Sequence, residues 1–99
     1  MATKLDCAFR RLETVVDKYC IDGKSDDAID EVTWAWEYAH DYPQEQDIQE
    51  AIRLVRKAED SMTDEGKPLY AAVRVEIVKR LRLLMRNRKK KAASKTLGE

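Results

Sequence analysis

Ninety-nine residues, 43% of them hydrophobic and 38% charged, suffice for one small domain and not for two. No apolar run approaches the roughly 20 residues of a membrane span, the first residues lack the apolar stretch of a signal peptide, and three Gly with two Pro are too few turn signals for a sheet protein. The net charge of zero hides a division: residues 1–72 hold 9 Lys/Arg against 17 Asp/Glu, a balance of −8, and residues 73–99 hold 10 against 2, a balance of +8.

Leu5, Ala8, Phe9, Leu12, Val15, Val16 and Tyr19 recur at the spacing of one helical face, which predicts a helix from Lys4 to Cys20 behind a Thr3/Asp6 cap. Cys7 and Cys20 fall on this helix, 13 positions and so about 20 Å apart, beyond disulfide reach. They read as free thiols, small buried hydrophobes in a reducing compartment. Gly23 breaks the helix.

Ser25 reads as the cap of a second helix, with Asp26 and Asp27 in its first turn. Its core stripe is Ala28, Ile29, Val32, Ala35, Trp36 and Ala39, while Trp34, Tyr38 and Tyr42 fall on the other face. Pro43 ends it at Tyr42. A third helix is expected from Gln44 to Met62, with Ile48, Ala51, Ile52, Val55, Ala58 and Met62 inward. The polar break 63–67 leads to Pro68 as the first residue of a fourth helix. Val73, Val75 and Ile77 alternate as a strand would, but Tyr70, Val73, Ile77, Leu81 and Leu84 hold a helical stripe for 15 residues, and length decides for helix, to about Lys91. The expected architecture is an all-α four-helix domain over residues 1–91, with a tetratricopeptide-like helix pair and a basic C-terminal helix. A disordered basic tail is expected at 92–99.

Val32-Thr33-Trp34-Ala35-Trp36 leads through Tyr42 into Gln46-Asp47-Ile48-Gln49-Glu50-Ala51-Ile52-Arg53-Leu54, and Pro68-Leu69-Tyr70-Ala71-Ala72-Val73 opens the next helix. Over roughly residues 5–80 this resembles the N-terminal helix and first tetratricopeptide-like unit of the small mitochondrial fission adaptor family. The resemblance implies a helical-repeat scaffold whose concave face binds proteins. The family's second repeat and C-terminal membrane anchor have no counterpart in these residues, where a basic end ending in Lys89-Lys90-Lys91 stands instead.

Two surfaces are candidates for function. Trp34, Tyr38 and Tyr42 are residue types that anchor protein partners. Lys79, Arg82, Arg86 and Lys90 share a face of the fourth helix, with Lys89 beside them, and could meet the phosphates of RNA. The leading expectation is a non-catalytic protein-interaction module; the alternative is an RNA binder that sequesters duplex RNA as small helical viral proteins do. A homodimer stays open. The expected location is the cytoplasm, with residues 86–91 able to serve as a nuclear import signal. Catalysis is not expected: there is no phosphate loop, no Cys–His pair and no metal-ligand spacing around the lone His40, so neither metal nor cofactor is expected.

Overall fold

The computed structural model describes the backbone of residues 3–40 and 43–97, and the side chains as far as Arg86. Among these residues α1 (Lys4–Tyr19), α2 (Ser25–His40), α3 (Glu45–Ala58), a 3-10 turn (Glu59–Ser61) and α4 (Gly66–Leu97) follow in order, and the domain is the all-α four-helix fold that the periodicity predicted.

Local chemistry sets the helix ends. The Thr3 hydroxyl accepts from the Asp6 backbone N–H, and the Asp6 carboxylate accepts from the Thr3 N–H, both at 3.1 Å, closing a capping box on α1. Gly23 takes φ 85° and lets the Lys24 N–H reach the Ile21 carbonyl at 3.0 Å, the turn into α2. Ser25 is already helical, so the cap lies one residue earlier than expected: the Lys24 carbonyl accepts from the Ala28 N–H. The Asp47 carboxylate accepts from the Gln44 N–H at 2.9 Å and starts α3.

α2 and α3 pack antiparallel. Glu31 faces Lys57 near one end, and Tyr38 lies by Glu50 near the other. α1 and α4 are antiparallel as well, with Arg11 beside Glu76 and Tyr19 beside Gly66. The core is Ala8, Phe9, Leu12 and Val16 from α1, Ala28, Val32, Ala35 and Ala39 from α2, Ile48, Ala51, Ile52, Leu54, Val55 and Ala58 from α3, and Tyr70, Ile77, Val78 and Leu81 from α4. Alanine dominates the α2 side, which lets its axis approach its neighbours closely.

Four expectations are corrected. Met62 is not helical: its backbone is extended and pairs with Cys20, where the Ile21 N–H donates to Ser61 and the Thr63 N–H to Tyr19, both at 2.8 Å. This clasp ends α3 early and ties the end of α1 to the entrance of α4. α4 then begins at Gly66, before Pro68, and a Cβ on Gly66 would lie 2.2 Å from the Tyr19 Cβ, so only glycine fits. Ile29 is 39% exposed, because the buried stripe is Ala28, Val32, Ala35 and Ala39 and Ile29 lies about 100° round the helix from Ala28. Cys7 is exposed and Cys20 half-buried; both are free thiols.

α4 is helical in phase throughout the ambiguous stretch: Ile77 is buried while Val75 is 58% exposed, which no strand alternation would produce. Its 32 residues make it about 48 Å long, twice the length of α1, and the helical backbone runs past Lys91. Among the described side chains the last seated on the core are Leu84 and Met85, and the domain is drawn out to 56 Å.

Candidate interaction sites

Trp34 and Trp36, two residues apart, do different work. Trp36 is half-buried; its indole N–H donates to the Asp6 carboxylate at 2.9 Å, and its ring stacks on His40 with centroids 4.3 Å apart. Asp6 thus caps α1 with one oxygen and tethers α2 with the other. The bond from Trp36, with the Thr3 backbone contact, holds the Asp6 carboxyl below the usual carboxylate range. The expectation of Trp36 on the core stripe becomes a half-buried strap between α1 and α2, since it too is rotated about 100° from Ala35.

Trp34 and Tyr38 point the other way. They are 50% and 44% exposed, one turn apart, and line a cleft of about 700 Å³ between α2 and α3 with Glu37, Glu50, Arg53, Leu54 and Lys57. Tyr42, expected on the same face, lies outside the described residues. The α3 cations are already engaged. Arg53 pairs with Glu50, and the Lys57 ammonium stands 3.8 Å from the Glu31 carboxylate. Asp27, Asp30 and Glu37 have no ion-pair partner within 4 Å among the described residues, which leaves this face acidic.

Glu31 sharpens that electrostatics. It is 7% exposed, lines both this cleft and an adjoining one with Lys24, Asp30 and Asp60, and one of its oxygens accepts no hydrogen bond. Burial pushes its carboxyl above the ordinary glutamate value, partly opposed by Lys57. Sequence reading missed Glu31, Arg53 and Lys57. The three-and-four spacing of Arg53, Arg56 and Lys57 on α3 was the available signal, and it reads equally as a solvated face.

A second surface runs along α4. Arg56, Arg74, Val75, Val78, Lys79, Arg82, Leu83 and Arg86 line a shallow groove of about 360 Å³ where α3 meets α4. Lys79, Arg82 and Arg86 converge here, as their spacing requires; the side chains of Lys89 and Lys90 lie outside the described residues. Arg74 is bound to Glu59 at 2.6 Å, and Arg80 turns to Glu76 at 3.3 Å. Glu76 also takes Arg11 at 2.5 Å, and these cations hold its carboxyl low. The division matters, because it removes Arg74 and Arg80 from the available charge and adds Arg56 to it.

Among the described residues no three His, Cys, Asp or Glu side chains converge to hold a metal ion, and no helix is long and apolar enough to cross a membrane. The chain matches no family model, no curated protein and no solved structure.

Proposed function

We propose that this domain is a non-catalytic protein-interaction module, and that the α2/α3 cleft holding Trp34 and Tyr38 receives a basic helical segment of a partner protein. The observation that carries the reading is the pairing of two half-exposed aromatic rings with Glu37 and the neighbouring Asp27 and Asp30, carboxylates that have no ion-pair partner within 4 Å among the described residues. Large rings left in water at one place are the usual energetic centres of protein interfaces. Arg or Lys arms laid over the Trp34 face would gain cation–π attraction while their charges meet Glu37 and Asp30. The buried Glu31 carboxylate, short of a donor, gives such an arm a place to end. The short antiparallel α2–α3 pair, with Ala35, Ala39, Ala51 and Ala58 buried, also suits the helical-repeat adaptor to which the sequence bears a resemblance.

The test is calorimetric titration of the intact domain with a designed amphipathic Leu/Lys helical peptide and with its Leu/Glu counterpart. Binding of the Lys peptide alone, lost in Trp34→Ala/Tyr38→Ala and kept in Arg82→Ala/Arg86→Ala, supports the cleft. Equal binding of both peptides, or binding indifferent to the aromatic pair, overturns it. Concentration-dependent dimerisation abolished by the aromatic double variant would assign the cleft to a second copy of the chain, and the basic-partner reading would fall.

A further inference from the structure

We infer that the α3/α4 groove is a separate binding site for the sugar-phosphate backbone of nucleic acid, built on Arg56, Lys79, Arg82 and Arg86. It stands apart from the aromatic cleft and does not depend on it.

The first support is the accounting of charge. Every other described arginine near α4 has a carboxylate: Arg11 and Arg80 share Glu76, and Arg74 holds Glu59. Arg56, Lys79, Arg82 and Arg86 have none within 4 Å among the described residues, and all four line one groove. Cations held side by side without counter-charge repel one another, and an external anion relieves that repulsion. Three of the four are arginines, whose planar forks match phosphate oxygens two at a time.

The second support is linear order. Lys79, Arg82 and Arg86 stand on a single helix at intervals of about 4.5 and 6 Å along its axis, with Arg56 flanking them from α3. A regular file of positive charge fits a polymer of regularly spaced negative charge better than the scattered carboxylates of a protein face. Residues 79–91 contain eight Lys/Arg and no acid, and the α4 backbone stays helical across them. The groove floor is Val75, Val78 and Leu83, which offers no hydrogen-bonding group to read base edges. Recognition would therefore be of backbone and independent of sequence. The exposed aromatic rings belong to the other cleft, so base stacking contributes nothing here and duplex should bind at least as well as single strand.

The experiment uses the full chain and a labelled, mixed-sequence RNA duplex, with the matching single strand, polyglutamate and anionic phospholipid vesicles as competing ligands. Fluorescence anisotropy across 50–200 mM salt should show duplex affinity falling steeply. Arg82→Ala/Arg86→Ala should flatten the log–log salt slope by about 1.4–1.8, the value of two lost phosphate contacts. Arg56→Ala should flatten it by about 0.7–0.9, although it sits on a different helix from the rest. Arg53→Ala, at a residue that lines the α2/α3 cleft rather than this groove and is bound to Glu50, should leave the slope unchanged. Retained helical circular dichroism in each variant separates lost contacts from lost fold. Absence of duplex binding at 50 mM salt overturns the site, as does a slope indifferent to Arg56. Polyglutamate or vesicles competing as well as duplex would assign the groove to an acidic protein or a membrane surface, and the nucleic-acid assignment would fail.

Discussion

Replacing each tryptophan in turn by alanine separates a structural ring from an interaction ring. A buried Trp removes about 150–250 Å² from water, so a half-exposed one removes about 75–125 Å², worth at most ~2–3 kcal/mol at 25 cal/mol per Å². Compaction of the unfolded chain lowers that bound, and Trp34 has no hydrogen bond or ring partner among the described residues to add; Trp34→Ala should cost about 1–2 kcal/mol. Trp36 is more deeply placed, donates to Asp6 and stacks on His40. The hydrogen bond adds about 0.5–1.5 kcal/mol and the stack a similar amount, so Trp36→Ala should cost about 3–5 kcal/mol. Urea unfolding followed by helical circular dichroism, which neither substitution perturbs directly, should rank Trp36 as the costlier loss by about 2 kcal/mol. Equal losses, or a larger one at Trp34, would refute the division of labour on which the proposed cleft rests.

Gly66→Ala should destabilise by about 3 kcal/mol in the same assay, since the new methyl meets the Cβ of Tyr19, which cannot rotate away. Tyr70→Phe should cost about 1–3 kcal/mol, because the buried hydroxyl donates to the Val55 carbonyl at 2.5 Å near the end of α3 and its loss strips a buried acceptor of that donor. Burial raises the folded-state pKa of Glu31, so its carboxylate destabilises the fold increasingly as pH rises above its ordinary value of 4.5, and Lys57 offsets that loss. Lys57→Met should therefore cost no more than about 0.5–1 kcal/mol at pH 7, since the lysine is largely exposed and its attraction screened, and almost nothing near pH 4, where Glu31 is protonated. A pH series of urea midpoints checks it; a penalty constant across that range would remove Glu31 from the explanation.

The four helices were legible because each carries an apolar stripe at helical spacing, and α4 won over the strand alternative through the length of its stripe. Phase errors came where alanines form the stripe. Ala28, Ala35 and Ala39 are weak hydrophobic signals, so the larger Ile29 and Trp36 beside them were drawn onto a core face from which they are rotated by about 100°. The Cys20–Met62 clasp had no sequence signature, because it is made by backbone groups from distant segments. At the candidate sites, Trp34, Tyr38, Lys79, Arg82 and Arg86 could be placed from one helix at a time. Arg56, Glu31 and the removal of Arg74 and Arg80 into ion pairs depend on which helix lies alongside, which periodicity along a single segment does not encode.

The central claim is that a basic partner helix docks between α2 and α3, and backbone amide chemical shifts read it most directly. In a titration of the isotopically labelled domain with the Leu/Lys helical peptide, the shifts should concentrate at residues 27–38 and 50–57. They should saturate, and they should vanish in Trp34→Ala/Tyr38→Ala while the rest of the spectrum stays folded. Shifts spread evenly over the domain, or centred on α1 and the far side of α4, would contradict the account.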